Sequence, residues 1–182
     1  MGRIVLVGFP GCGKSTVGKK LAFKLSYGFV DLDNAIEEAY HLSIPEFFAK
    51  YGENAFRTCE QKVLTNKLSE DNIVISAGGG TPCFFQNMEL INAHSTSVYI
   101  QMAPQSLFHR LSHAKRVRPL VQNMTPTELQ QYIDSTLAVR EPFYLQAHLT
   151  VKGESLDVVC IDKPENTVDA TEYEGKTLIV KN

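Results

Sequence analysis

The sequence of 182 residues contains no tryptophan, only four cysteines and little excess charge, since its formal net charge is −2. Cys12, Cys59, Cys83 and Cys160 share no close spacing, which matches neither a disulfide framework nor a zinc site and favours a reducing cytoplasm. The chain lacks the basic excess that is typical of nucleic-acid or membrane-surface binding. No apolar run approaches a membrane span, and the first residues do not resemble a targeting signal. We therefore expect a cytoplasmic protein with neither nucleic-acid nor membrane partners.

Short apolar stretches alternate with helical patterns, which predicts an α/β fold with a parallel sheet and helices on both faces. Strands are expected at residues 3–7, 29–31, 72–77, 97–102 and 147–151. Helices are expected from residue 14, after residue 33, from 44 to about 52, along 56–68, at 106–111 and from 126. The last helix should stop or kink before Pro142. A chain of this length suffices for one domain with its own core.

Local signals mark some of the helix starts. Ser43 with Glu46 and Thr125 with Glu128 form two capping boxes, and Asp33 can cap the helix that follows the second strand. Between residues 113 and 124 the periodicity is weak and basic residues are frequent. This segment is therefore predicted to be a mobile loop.

The segment from Gly8 to Ser15 has the spacing of a phosphate-binding P-loop, with a glycine, four residues and then Gly-Lys-Ser. It follows a predicted strand and opens an amphipathic helix, as such a loop requires. Glycines let backbone N–H groups approach a polyphosphate, while Lys14 supplies a cation and Ser15 a hydroxyl for Mg²⁺. A glycine-rich turn between core elements is the plain alternative. Cys12 is either a small loop residue or an acidic thiol at a helix N-terminus.

Candidate acceptor-binding residues follow two other predicted strands. Asp31 and Asp33 lie two apart at a strand end, so one can serve Mg²⁺ through water and the other an acceptor hydroxyl. The alternative is that Asp33 only caps a helix and Asp31 is solvated. The glycines at 78–80 indicate either backbone contact with a ligand or a plain turn.

Several arginines are candidates for anion binding. Arg57 and Glu60 lie three apart on a helix, either as an exposed pair or as a fork held toward an anionic substrate. Arg118, in the predicted loop, can close over phosphates, and Arg140 can bind a carboxylate bidentately. Each arginine alone is typical of a solvated surface. Together with the carboxylates and glycines they favour a small hydroxylated carboxylate as the acceptor.

The sequence closely resembles the shikimate kinase family from residue 3 to about residue 151. The motifs that carry the resemblance are residues 8–15, Asp31-Leu32-Asp33, Ile44-Pro45-Glu46-Phe47-Phe48, Gly52-Glu53-Asn54-Ala55-Phe56-Arg57 with Glu60, Ser76-Ala77-Gly78-Gly79-Gly80, Arg118-Pro119-Leu120 and Arg140-Glu141-Pro142-Phe143-Tyr144. The resemblance implies phosphorylation of the 3-hydroxyl of shikimate by ATP, with one Mg²⁺ per subunit, in the chorismate route to aromatic amino acids. It also implies a monomer with a three-layer P-loop fold. That fold has a five-stranded parallel sheet, a helical substrate-binding region and a mobile lid.

The family's residue roles transfer to matching positions of this sequence. The single domain would comprise a core at 1–112 and 126–152, the lid at about 113–125 and a tail at 153–182. The resemblance assigns ATP binding to Gly11, Cys12, Gly13, Lys14, Ser15, Thr16, Arg110 and Arg118. It assigns shikimate binding to Asp33, Arg57, Glu60, Gly78, Gly79, Gly80 and Arg140, and Mg²⁺ to Ser15 and, through water, Asp31. Lys14, Asp33 and Arg118 are the expected catalytic residues.

The tail departs from the family, which usually ends in an acidic turn and an amphipathic helix. Here residues 155–162 and 177–180 look like strands, so the adenine contacts stay open.

Among rival functions, a gluconate kinase would not need Arg57, Glu60 and Arg140 together. A GTPase should show Asn-Lys-x-Asp, whereas residues 66–69 read Asn-Lys-Leu-Ser. The net charge disfavours a nucleic-acid-binding ATPase.

Overall fold

Five parallel strands form the centre of the molecule in a computed structural model that describes residues 2–113, 121, 124–155, 161–162 and 180–181. The strands are β1 (Arg3–Val7), β2 (Gly28–Asp31), β3 (Ile73–Ser76), β4 (Thr96–Gln101) and β5 (Leu149–Lys152), in the order β2-β3-β1-β4-β5. Leu6 of β1 and Asp31 of β2 both lie opposite Ser76 of β3. The carboxyl ends of these three strands therefore meet at one edge of the sheet. The five predicted strands and the parallel sheet are confirmed.

Helices cover this sheet. Within the described residues they are α1 (Lys14–Leu25), α2 (Leu32–Tyr40), α3 (Ile44–Leu68), α4 (Asn87–His94), α5 (Pro104–Ser112) and α6 (Pro126–Tyr144). All of β3 and residues 4–7 of β1 are buried, so side chains on both faces of the sheet are shielded from solvent. That is the burial expected of a parallel sheet between two helical layers.

A kink at Gly52 divides α3. Its φ of 76° and ψ of 174° are not helical, so the two predicted helices run as one element with a bend. Rings on either side of the bend pack together, with Phe47 and Phe48 at 5.8 Å and 4.6 Å from Phe56 between ring centroids. This aromatic contact fixes the start of the second limb, where Arg57 lies.

Of the two outcomes predicted for α6, a stop or a kink before Pro142, the stop is wrong. The helix continues through Pro142 to Tyr144 instead of stopping before the proline. A proline in a helix interior removes one backbone hydrogen bond and its ring crowds the carbonyl four residues earlier, which together cost about 3 kcal/mol. Here Tyr144 is fully buried and its hydroxyl donates to the carbonyl of Gly79, so tertiary contacts hold the last turn in place. Helix α4 and a short 3₁₀ helix at Thr81–Cys83 were not predicted either.

The tail begins with a 3₁₀ helix at Gly153–Ser155, where Glu154 Oε1 accepts a hydrogen bond from the backbone of Ala103 at 2.7 Å. Two short strands, β6 (Ile161–Asp162) and β7 (Val180–Lys181), pair in parallel. Most of the predicted tail strands, and the predicted loop apart from residues 113, 121 and 124, lie outside the described residues. No helix within the described ranges is both long and apolar enough to cross a bilayer.

Candidate active site

The P-loop joins β1 to α1 and has a backbone that only glycine adopts easily. Gly8, Gly11 and Gly13 have φ angles of 143°, 94° and 104°. A Cβ on Gly8 would stand 2.8 Å from the carbonyl oxygen of Ile100, so a side chain does not fit there. The helix starts at Lys14, directly after Gly13. The loop therefore presents backbone N–H groups and the positive end of α1 on the inner side of its curve.

Lys14 lies inside this curve. Its ammonium group donates hydrogen bonds to the carbonyls of Gly8 at 2.8 Å and Phe9 at 3.1 Å, and only 8% of the residue is exposed. Cys12 is buried below the loop, with its Sγ 3.9 Å from Lys14 Nζ. The buried cysteine fills space beneath the loop, in line with the interpretation of a small loop residue.

Arg110 joins the P-loop to the start of the tail. Its Nη1 donates to the carbonyl of Cys12 at 3.2 Å, and its Nη2 donates to the carbonyl of Gly153 at 3.3 Å. The sequence predicted an arginine at the edge of a nucleotide site. The structure brings Arg110 to the P-loop, while Thr16 is exposed as the third residue of α1.

Three oxygen-bearing side chains meet where β2 and β3 end. Ser15 Oγ donates to Asp31 Oδ2 at 2.5 Å and lies 3.3 Å from Ser76 Oγ. Asp31 is thus half-buried and bound to Ser15, and its side chain makes no capping bond although it occupies the N-cap position of α2. Hydroxyl and carboxylate oxygens are the donors that Mg²⁺ prefers. This cluster is the candidate metal site.

Asp33 is the second residue of α2, whose N-cap position is occupied by Asp31, so the predicted cap at Asp33 is wrong. Burial raises the pKa of Asp33 to about 6. The neighbouring carboxylate of Asp31 adds to the rise, Lys14 opposes it, and Glu60 and Glu37 contribute further. A carboxyl with a raised pKa in a cleft is a candidate for general base catalysis.

Arg57 is a buried arginine held on several sides. Its Nη1 donates to Glu60 Oε2 at 2.9 Å, while its Nε and Nη2 donate to Glu53 Oε1 at 3.2 Å and 3.0 Å. The guanidinium carbon lies 4.1 Å from the ring centroid of Phe84. Arg57 is 8% exposed and Glu60 is 1% exposed, so the exposed-pair interpretation is wrong. The pair is a fixed cationic fork.

The glycines at 78–80 leave room for these charged groups. A Cβ on Gly78 would stand 2.8 Å from Asp33 Oδ1 and 3.2 Å from Glu60 Oε1. A Cβ on Gly80 would stand 2.9 Å from Arg57 Nη2. The segment is therefore more than a plain turn, because the missing side chains of Gly78 and Gly80 leave room for Asp33, Glu60 and Arg57.

Replacing Gly80 by alanine should displace the Arg57 guanidinium, since the new Cβ would lie 2.9–3.2 Å from three of its atoms. We expect KM for the anionic acceptor to rise by about tenfold while KM for the nucleotide changes by less than about twofold. Steady-state kinetics with each substrate varied in turn measures both. Gly28→Ala is the matched control, because its Cβ would meet nothing nearer than 3.8 Å. Equal effects of the two variants would contradict this account.

Arg140 lies on α6 and faces the same edge. Burial raises the pKa of Tyr144 and of Cys83, and the positive charge of Arg140 lowers both pKa values in part. Arg140 therefore lies close to both side chains. Tyr144 Oη donates to the carbonyl of Gly79 at 2.5 Å. The last turn of α6 thus places Arg140 beside the glycine segment.

The structure also shows contributors that the sequence analysis did not assign. Glu53 pairs with Arg57, Ser76 joins the Ser15 cluster, and Thr81 and Tyr144 hold parts of the site. Only Glu53 had a local signal, its spacing of four residues from Arg57. Arg118 lies outside the described residues, so its role remains a prediction.

Comparisons with known proteins agree with this geometry. The family model for shikimate kinase matches residues 10–163. A shikimate kinase from Parabacteroides distasonis is 42% identical over 156 residues, which are 86% of this chain and 90% of that relative. The crystal structure of shikimate kinase from Bacteroides thetaiotaomicron has a TM-score of 0.83 at 42% identity, covering 85% of this chain and 88% of that one. Acinetobacter baumannii shikimate kinase in complex with shikimate gives 0.75 at 35% identity, with 84% and 83% covered.

Proposed function

This chain belongs to the shikimate kinase family, and we propose that it transfers the γ-phosphoryl group of ATP to the 3-hydroxyl of shikimate. As a member it is an enzyme, a kinase with ATP as co-substrate. The observation that carries the proposed chemistry is the position of Asp33. Its carboxyl shares the space beside Gly78 with Glu60, the partner of Arg57, and also lies within the field of Lys14. One carboxyl thus lies between a phosphate-binding loop and a carboxylate-binding fork.

On the nucleotide side, the chain supplies positive charge and orientation. Backbone N–H groups of residues 11–16 would surround the phosphates, and Lys14 would exchange its carbonyl partners for phosphate oxygens. Arg110, beside the loop at Cys12, and Arg118, assigned by motif, would add cations. These groups stabilise the charge that spreads over the transferred group.

On the acceptor side, the chain fixes a small carboxylate and one hydroxyl. Arg57, held by Glu60, and Arg140 would bind the shikimate carboxylate, and the backbone at 78–80 would line its ring. Asp33 would accept the proton of the 3-hydroxyl as that oxygen bonds to the γ-phosphorus. The bond between the γ-phosphorus and the bridging oxygen breaks, and ADP leaves with that electron pair.

The residues around Ser15 fit a magnesium ion. Ser15, Asp31 and Ser76 bring two hydroxyls and one carboxylate together, and within the described residues no group of three His, Cys, Asp or Glu side chains offers a rival metal cage. Mg²⁺ usually takes one or two protein ligands plus waters and phosphates, so a small donor set suffices. When bound, the ion neutralises charge on the phosphates. We propose Ser15 as a direct ligand and Asp31 as a ligand through water.

Asp31→Asn should raise the Mg²⁺ concentration needed for half-maximal rate by about tenfold, because the carboxylate charge is lost while the hydrogen bond from Ser15 can persist. A titration of the rate with Mg²⁺ at fixed ATP measures it, and Mn²⁺ binding followed by paramagnetic resonance gives an independent readout. Asp71→Asn is the control, since Asp71 pairs with Arg3 at the amino-terminal end of the sheet. An unchanged Mg²⁺ requirement would remove Asp31 from the metal site.

A gluconate kinase is the nearest alternative activity among small-molecule kinases. Its acceptor also offers hydroxyls and a carboxylate. The buried fork of Arg57 and Glu60, with Arg140 beside the glycine segment, favours a compact ring carboxylate held at a fixed distance from Asp33. We therefore place gluconate second.

The proposed reaction is tested by the identity of its product. Purified protein, ATP, Mg²⁺ and shikimate should give ADP and a monophosphate whose phosphorus couples to the proton on carbon 3 in two-dimensional NMR. A reaction without acceptor serves as the control for ATP hydrolysis. Phosphate on another oxygen, or release of inorganic phosphate alone, would refute the proposal.

Location and assembly are proposed on narrower grounds. The three cysteines within the described residues, Cys12, Cys59 and Cys83, are free thiols, which supports a reducing cytoplasm. That the protein acts as a monomer also stays a proposal. The division into core, lid and tail at about residues 113–125 and 153–182 stays a proposal from the family resemblance.

A further inference from the structure

We propose that Thr81 is a positioning residue for the acceptor site: its hydroxyl fixes the Glu60 carboxylate, and that carboxylate fixes the guanidinium of Arg57. The inference rests on the proposed function, because Arg57 is taken there to bind the acceptor carboxylate. It assigns a task to a residue that binds neither nucleotide nor acceptor in that proposal.

The contacts form a single line through buried atoms. Thr81 Oγ1 donates to Glu60 Oε1 at 2.5 Å, and Glu60 Oε2 accepts from Arg57 Nη1 at 2.9 Å. Thr81 is 0% exposed and Glu60 is 1% exposed. Solvent therefore cannot readily replace the hydroxyl, and its removal leaves a buried carboxylate oxygen without its donor.

The hydroxyl is itself held by the scaffold. Thr81 opens the 3₁₀ helix, its N–H donates to the carbonyl of Gly78 at 3.1 Å, and its carbonyl accepts from Asn87 Nδ2 at 2.9 Å. Asn87 is fully buried at the start of α4. The position of the Thr81 hydroxyl is thus set by backbone and core contacts.

Two features explain why Glu60 needs a second partner. Arg57 also binds Glu53, whose side chain is 55% exposed and can move, so Glu53 competes for the same guanidinium. Glu60 Oε1 and Asp33 Oδ1 both crowd the position of a Cβ on Gly78, at 3.2 Å and 2.8 Å. The two carboxylates thus border the same small space, where like charges repel. The donor from Thr81 fixes one oxygen of Glu60, so the other oxygen stays on Nη1 of Arg57 and holds the guanidinium in place.

Thr81→Val tests this directly, because valine keeps the shape of threonine and removes the hydroxyl. We expect KM for shikimate to rise by about tenfold, KM for ATP to change by less than about twofold, and Thr81→Ser to restore the wild-type KM. Thr58→Val is the matched control. Thr58 lies on the same helix as Glu60, is exposed, and its hydroxyl only donates to the carbonyl of Asn54.

A double-mutant cycle separates positioning from simple packing. If Thr81 acts through Glu60, then Thr81→Val in a Glu60→Ala background should change KM for shikimate by less than about twofold. An equal effect in both backgrounds, or an equal rise in both KM values, would overturn the inference. If Thr81→Val does not fold, Thr81→Ala is the second variant without the hydroxyl, and it must show the same rise in KM for shikimate without a rise in KM for ATP.

The failure of this inference can be told from the failure of the proposed function. Wild type without shikimate-dependent ADP release would refute the proposed function. Active wild type with unchanged Thr81 variants would refute this inference alone.

Discussion

Asp33→Asn should lower kcat for shikimate phosphorylation by about 10²–10⁴-fold, the usual contribution of a general base. Asparagine keeps the size of the side chain but cannot accept the hydroxyl proton. KM for ATP should change by less than about twofold, because Lys14 and the P-loop backbone are left in place. Steady-state rates of ADP formation at saturating shikimate measure the loss. Unchanged turnover would exclude Asp33 as the base.

The pH dependence gives the same prediction a second readout. The pKa of Asp33 is raised to about 6, so the free enzyme holds the inactive, protonated form at lower pH. Wild-type kcat/KM for shikimate should therefore be level above about pH 7, bend near pH 6 and fall by about tenfold per pH unit well below it. The variant should lack this limb. If kcat/KM still falls at low pH in Asp33→Asn, the fall belongs to the titration of another group.

Stability should move in the opposite direction from activity. The folded-state pKa of about 6 lies above the ordinary value of 3.8, so ionisation of Asp33 costs folding energy that is absent below pH 3.8 and fully present above about pH 6. Asp33→Asn removes this cost and should raise the free energy of unfolding at pH 7 by about 1–3 kcal/mol. Urea unfolding at pH 7 and pH 4 measures it. Asp134→Asn, at an exposed site on α6, should change neither activity nor stability.

Arg57→Lys should raise KM for shikimate by about 30- to 150-fold, which corresponds to about 2–3 kcal/mol. Lysine keeps the charge but cannot bridge Glu60, Glu53 and an acceptor carboxylate at once, and it loses the flat contact with the Phe84 ring. KM for ATP should stay within about twofold. Varying each substrate at saturation of the other separates the two constants.

Arg3→Lys is the matched control for Arg57→Lys. Arg3 also donates to a carboxylate, that of Asp71 at 2.7 Å, but at the amino-terminal end of β1. We expect wild-type kinetics from it. If Arg57→Lys bound shikimate as well as Arg3→Lys does while both proteins remain folded, the fork would have no role in acceptor binding.

The order of the five strands and of the helices other than α4 was predictable because these elements have strong local patterns. The P-loop spacing, the apolar runs and the two capping boxes depend on neighbouring residues only. The end of α6 was not predictable in this way. Burial of Tyr144 and its bond to Gly79, 65 residues away in sequence, outweigh the local effect of Pro142.

The sequence predicted which residues form the site, but it did not predict most of the contacts between them. The pairing of Arg57 with Glu60 followed from helix spacing, but its burial depends on Phe84 and Thr81, which arrive from another segment. The triple glycine pointed to close approach. Its partners, Asp33, Glu60 and Arg57, became clear only from the fold, since no spacing rule connects residues 33, 60 and 78.

The ratio of kcat/KM for shikimate to kcat/KM for gluconate, measured with the same ATP and Mg²⁺, tests the central claim most directly. A site with buried polar groups built for one acceptor should reject another by a large factor, and we expect the ratio to exceed about 10³. A ratio near or below one would contradict the assignment of Arg57, Glu60 and Asp33 to a shikimate site.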